Sequence, residues 1–256
     1  FNLNRQRTVK ILRFIEKNNH LKKRFHTEIK AELMDEKLIE LFKSSNILSV
    51  EVGVQTTNKY TLRNVHRHNN LFKLKRTIGL LNKNGIFSDV QLIAGLPGDS
   101  WKDLLKSVRF ALSINPSRID IFNLLVLPGT ALYEEGHRYG LMFNHQPLYQ
   151  LLRSKTFSSE ALEKAHLINK YLHMFRFTYK MSCNLLTNEL RLDLLDLILK
   201  WIDYLKNKKI YLEKDVFFSE GFARFVRHIC CKYDLDSRFY IKLIKLEEKS
   251  VKLKLS

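Results

Sequence analysis

Cysteine is scarce in this chain of 256 residues: Cys183, Cys230 and Cys231 are all there is. An odd number without framework spacing argues against a secreted disulfide scaffold. Cys230 and Cys231 sit in an apolar helical stretch, where neighbours point apart, and both read as small core side chains. The implied compartment is a reducing cytoplasm. Long hydrophobic runs are missing too, since none approaches the roughly 18 residues of a membrane span. No signal peptide, internal repeat or low-complexity linker is visible. The chain opens Phe1-Asn2-Leu3-Asn4 without a methionine, as a fragment or a processed chain would.

Positive charge is in excess. Lys and Arg number 44 against 26 Asp and Glu, a formal charge of +18. Such a surplus suits a nucleic-acid or other anionic partner. The plainer reading is a composition bias, because the basic residues are spread along the chain. A basic tail of Lys242, Lys245, Lys249, Lys252 and Lys254 is partly offset by Glu247 and Glu248. Hydrophobic residues make up 45%, which suits a packed core.

Periodicity organises the first half into alternating helices and strands. A helix is predicted over 5–18 and a strand over 24–31. A helix capped by Asp35 follows, then a strand over 49–55. The helix over 71–84 is stopped by Gly85, and a strand over 89–95 follows. Ser100 opens a helix to about Ser113, a strand runs over 118–125, and Pro128-Gly129-Thr130 turns into a helix over 131–138. Parallel strands joined by right-handed helical crossovers are the economical arrangement. Their working ends are the strand C-termini. Beyond about Asn144 the strand signals stop, and helices are predicted over 162–179, 185–205 and 221–231. The fold class is therefore α/β: a partial (βα) barrel of parallel strands, residues 1–143, followed by a mostly α-helical region, residues 144–256. A full barrel of this type would need further strands before Phe1.

A few side chains at the strand ends have chemistry to offer. The Gln55 carboxamide closes the Val52-Gly53-Val54 strand and suits a ribose hydroxyl or an amino-acid end; a loop-capping role is the plainer alternative. Glu28 lies on the first strand, where a carboxylate needs the mouth and a partner. His26 shares its face, but two residues without a third ligand make a weak metal site. Arg67 can fork to a carboxylate or simply be solvated. Gly95-Leu96-Pro97-Gly98-Asp99-Ser100 lets the backbone approach a ligand at a helix N-terminus. It is neither a P-loop nor a dinucleotide fingerprint. Phe122 reads as a core ring of the last strand.

Three of these segments together carry a family likeness. Val52-Gly53-Val54-Gln55-Thr56-Thr57-Asn58 resembles the "G-x-Q-S/T" strand end of the radical S-adenosylmethionine (radical SAM) superfamily. Leu92 to Asp99 resembles its "GLPGET" segment, and Leu127-Pro128-Gly129-Thr130-Ala131-Leu132-Tyr133 its "PGTPLY" turn. The branch it is most similar to includes methylthiotransferases, Elongator-type enzymes, coproporphyrinogen oxidases and cobalamin-binding members. The resemblance implies that Glu28, Gln55 and Arg67 meet S-adenosylmethionine, and that the backbone of Ile93 and Ala94 flanks its adenine. Gln91 departs from it, since many relatives have an acid there. The family's CxxxCxxC loop for a 4Fe–4S cluster is also absent, so the cluster ligands are expected upstream of residue 1. Cobalamin is a candidate cofactor of the whole protein. The implied function is part of an enzyme that cleaves S-adenosylmethionine reductively, with this chain alone inactive and the N-terminal half of the same protein as its partner. The competing function is a degenerate barrel that binds RNA through its basic surface. No membrane partner is expected, and the sequence does not name a substrate.

Overall fold

The structure, a computed structural model, describes residues 1–209 and 218–255. It divides into two compact units, 1–166 and 167–256.

In the first unit the expected alternation is realised. Helix α1 (Arg5–Asn18) precedes strand β1 (Phe25–Ile29), and α2 (Glu36–Ser44) precedes β2 (Ile47–Gln55). Helices α3 (Lys59–Asn64) and α4 (Leu71–Lys83) lead to β3 (Phe87–Ala94), and α5 (Trp101–Ser113) leads to β4 (Arg118–Asn123). Local chemistry sets the boundaries. The Asp35 side chain accepts from Leu38 N and starts α2. Gly85, at φ +68°, takes the left-handed conformation that ends α4. The four strands are parallel, in the order β1-β2-β3-β4, and form an open sheet.

Strand alternation gives this sheet two unlike faces. One is apolar and buried: Ile29, Val50, Val52, Val54, Val90, Leu92, Ala94, Ile119 and Ile121. Helices α2, α4 and α5 pack against the sheet with Leu38, Ile39, Phe42, Leu74, Ile78, Leu81, Leu104 and Val108 buried. The other face is mostly polar. Register aligns Glu28, Glu51, Asp89 and Arg118 in one row across all four strands. The next row holds Gly53, Gln91 and Asp120, and beyond it Ile93 is level with Phe122. Phe122 is therefore not the core ring expected from the sequence. It is 49% exposed, because it occupies the open face while its neighbours Ile119 and Ile121 take the buried one.

After β4 comes a short helix, α6 (Ala131–Glu135), and then a small antiparallel pair that the sequence did not signal. Strands β5 (Met142–Phe143) and β6 (Leu151–Arg153) are two and three residues long, too short to show a period. Leu151 N donates to Leu124 O at 2.9 Å, and a Cβ on Gly95 would clash with Leu151 Cδ2. Only glycine, here at φ +89°, lets β3 end beneath this pair.

Helix α7 (Ser159–His173) runs into the second unit. That unit holds α8 (Lys180–Leu190), α9 (Leu194–Asn207), α10 (Phe218–Lys232) and α11 (Ser237–Leu255). The single helix expected over 185–205 is two, because Arg191 turns left-handed at φ +53° and Asp193 caps the next helix. The core is aromatic: Trp201, Phe175, Phe222 and Phe225 are fully buried and in ring contact. Cys230 is buried with them, but Cys231 is exposed, since neighbours on a helix are turned by about 100° from each other. Glu247 and Glu248 do more than offset the basic tail. Glu247 accepts from the N–H groups of Met181 and Ser182 at the start of α8, where a carboxylate opposes the helix dipole. Glu248 accepts from the Tyr179 hydroxyl at 2.8 Å. The side chains of Lys252 and Lys254 lie outside the described residues.

Candidate functional site

The end of β2 brings two of the sequence candidates together. Gly53 lies on the open face, and its missing side chain is where Gln55 and Arg67 meet. A Cβ there would sit 2.5 Å from Gln55 Nε2 and 2.9 Å from Arg67 Nη2. Arg67 Nη2 donates to Gly53 O at 2.6 Å. The β2–β3 ladder is irregular between Gly53 and Gln55. The corner is unsaturated. Gln55 Oε1 and Arg67 Nε are both buried and have no hydrogen-bond partner among the described residues. A buried polar atom without a partner is costly, and water, an ion or a ligand can satisfy it.

The other candidates sit around this corner. Glu28 is exposed and level with Glu51, two residues before Gly53 and one strand over. That is roughly 7 Å back along the sheet at strand rise. Its backbone oxygen accepts from Phe1 N at 2.9 Å. Ile93 lies on the open face beside Phe122, but the Ala94 side chain is buried on the helix side. The Ala94 carbonyl is taken by Leu124 N at 3.0 Å. Gln91 is in register with Gly53 and Asp120. His26 is bonded within the sheet, to Ser49 Oγ at 2.7 Å and Glu51 Oε1 at 3.0 Å.

Acids behind the corner have unusual environments. Arg118 Nε lies 2.8 Å from Asp120 and 3.8 Å from Asp89. Burial, and then the Asp120 charge, push the Asp89 carboxyl up to about 6. Asp99, from the glycine-rich turn, is fully buried. Its Oδ1 accepts from Thr56 at 3.4 Å, Asn58 at 3.4 Å and Thr61 at 3.5 Å, so it ties the β3 loop to the β2 loop. Burial, and then Asp103, push it up to about 6, while those three donors act in the opposite sense. The same turn is closed to anions. Ser100 and Asp103 already cap α5, and Gly98 packs against Tyr60 and Asn64.

Sequence reasoning missed Gly53, Asp99 and Asn69. Gly53 and Asp99 stood inside segments that had been singled out, but only packing shows what they exclude or join. Asn69, in a run of His and Asn residues, had no signal at all.

No cluster of three or more His, Cys, Asp or Glu able to hold a metal occurs among the described residues. The three cysteines lie in the second unit, with Cys183 and Cys230 buried. A 4Fe–4S cluster therefore does not fit the described residues. S-adenosylmethionine does fit the Gly53 corner in chemistry: Gln55 Oε1 can accept from a hydroxyl or ammonium, and Arg67 can donate to a carboxylate. No helix among the described residues is long and apolar enough to cross a membrane.

Residues 1–111, which contain this corner, match the sequence model of the Radical SAM superfamily. Among similar curated proteins is the anaerobic magnesium-protoporphyrin IX monomethyl ester cyclase of Rubrivivax gelatinosus. It is 28% identical over 110 residues, covering 43% of this chain and 20% of that protein. The heme chaperone HemW of Buchnera aphidicola subsp. Schizaphis graminum is 24% identical over 178 residues, 69% of this chain and 46% of that one. The chain thus spans less than half the length of either relative. Among solved structures, the radical S-adenosylmethionine methyltransferase TsrM of Kitasatospora setae has a TM-score of 0.48 at 18% identity. The alignment covers 54% of this chain and 30% of TsrM. Elp3 of Methanocaldococcus infernus has a TM-score of 0.42 at 20% identity, over 65% of this chain and 45% of Elp3.

Proposed function

We propose that this chain supplies the S-adenosylmethionine site of a radical SAM enzyme. In this reading, residues 1–143 are the C-terminal part of the barrel, and the helical domain is the second unit, which begins at Leu167. The whole enzyme cleaves S-adenosylmethionine reductively at a 4Fe–4S cluster whose ligands are outside this sequence. Bound there, the cluster supplies the electron for that cleavage; cobalamin is a candidate further cofactor. One observation carries the proposal. At the end of β2, a buried carboxamide oxygen and a buried guanidinium N–H share a corner and have no partner among the described residues.

The chain's own residues bind and orient. Gln55 accepts from the ribose or amino-acid end, and Arg67, anchored on Gly53 O, presents its remaining donors to the carboxylate. Glu28, one strand over on the same face, faces the ligand ammonium. Ile93 and the Ala94 backbone flank the adenine. Gln91, in place of an acid, keeps hydrogen bonding but not charge.

Calorimetric titration with S-adenosylmethionine tests this. Arg67→Ala should weaken binding by about 1.5–3 kcal/mol, the scale of a lost charge-assisted bond. Because Arg67 also donates to Gly53 O, the variant's melting point should fall by about the few degrees that one lost hydrogen bond costs, with the fold retained by circular dichroism. Equal affinity in the two proteins would refute the assignment. Without the cluster ligands the chain alone should form no 5′-deoxyadenosine after iron reconstitution, and product formation would refute that part.

A further inference from the structure

The conformation of Gln55 needs support, and one side chain supplies it. Thr56 N donates to Val54 O at 2.8 Å, and Gln55 between them has φ +66°. A bond spanning one residue with a left-handed centre is the pattern of a γ-turn with positive φ, a rare and strained form. Glutamine has no special tolerance for it, unlike glycine or asparagine. Asn69 brackets this turn. Its Nδ2 donates to Val54 O at 2.5 Å and to Thr56 O at 3.3 Å, the two carbonyls on either side of Gln55. With Arg67 on Gly53 O, the loop that follows α3 grips three of the four carbonyls from 53 to 56. The outcome is local and specific. The Gln55 carboxamide lies over Gly53, beside the guanidinium.

We infer that Asn69 is a positioning residue, which holds the strained turn at Gln55 so that the Gln55 carboxamide and Arg67 face one ligand. This rests on the S-adenosylmethionine reading of the corner. Asn69 itself is spent on backbone oxygens and acts through Gln55. A structural role alone would lower stability and leave the remaining affinity unrelated to Gln55. A positioning role makes the two residues interdependent.

The test is a double-mutant cycle read by calorimetry, with S-adenosylhomocysteine as the probe and the full chain as the protein. Asn69→Ala and Asn69→Asp, which is nearly isosteric but has no N–H to donate, should each weaken binding about tenfold, the scale of one lost hydrogen bond. Circular dichroism checks that both remain folded. In a Gln55→Gly background, where glycine takes positive φ without strain, adding Asn69→Ala should change affinity less than about twofold. Amide exchange at Thr56 gives a readout that needs no ligand and should quicken about tenfold in Asn69→Ala, the scale of about 1.4 kcal/mol. Unchanged Thr56 exchange, or an equal loss of affinity in the Gln55→Gly background, overturns the positioning role. Absence of binding by the unsubstituted chain overturns the ligand reading instead, and the exchange result still judges the turn.

Discussion

The two faces of the four-stranded sheet come from the same strands and differ in every respect that matters. On β2, Val50, Val52 and Val54 are fully buried, while the alternate positions Glu51, Gly53 and Gln55 belong to the open face. The covered face is closed by helices and saturated with apolar contacts. The open face carries rows of acids, an arginine, and a corner with two unpaired buried atoms. The comparison teaches that stability and binding are separated here by a single step in the sequence. Neighbouring substitutions should therefore divide cleanly into those that unfold and those that disarm.

The largest effect is expected on the covered face. Leu92 is fully buried, and Leu92→Ala should destabilise by about 2–5 kcal/mol in urea unfolding, through lost burial and the cavity left behind. A change under 1 kcal/mol, less than a core cavity allows, would break the comparison from that side. On the open face, Gly53→Ala places a methyl group on the Gln55 carboxamide and the Arg67 guanidinium. Overpacking should cost about 1–3 kcal/mol of stability at most. Binding of S-adenosylmethionine should fall more steeply than stability does. An alanine variant with undiminished affinity would show that the corner is not where the ligand sits.

Much of this arrangement was legible in the sequence, for definite reasons. Asp35, Gly85 and the apolar spacing of α4 and α5 are local signals, and each marks an element found in the structure. The strand ends were legible because Gln55 and Gly95 interrupt apolar runs. Phe122 was misjudged because a strand reads the same whichever face its aromatic residue takes. The pair β5–β6 and the break at Arg191 escaped because both depend on tertiary contacts or on a single positive φ. Within the corner, residue types pointed to Gln55 and Arg67. Their convergence depends on a missing Cβ and a strained turn, which no spacing rule reveals.

The smallest expected effect is a slope with pH. Asp99 ties the two loops together on the buried side of the strand ends, and its carboxyl is raised from 3.8 to about 6 mainly by burial. The folded chain therefore holds the proton more tightly than the unfolded one. Its contribution to stability is complete below about pH 4 and is lost as pH rises through about 6. Relative to Asp99→Asn, the unsubstituted chain should lose melting temperature between pH 4 and pH 7. A difference that is flat, or that grows in the other direction, would mean that Asp99 is solvated or paired after all.

The central claim is that the open-face corner at the end of β2 holds S-adenosylmethionine. A crystal structure of this chain soaked with S-adenosylhomocysteine tests it most directly. The account predicts ligand density against Gly53, within hydrogen-bond reach of Gln55 Oε1 and the Arg67 guanidinium, with Ile93 beside the adenine. Ligand bound elsewhere, or a corner in which both atoms meet only water at saturating ligand, would contradict it.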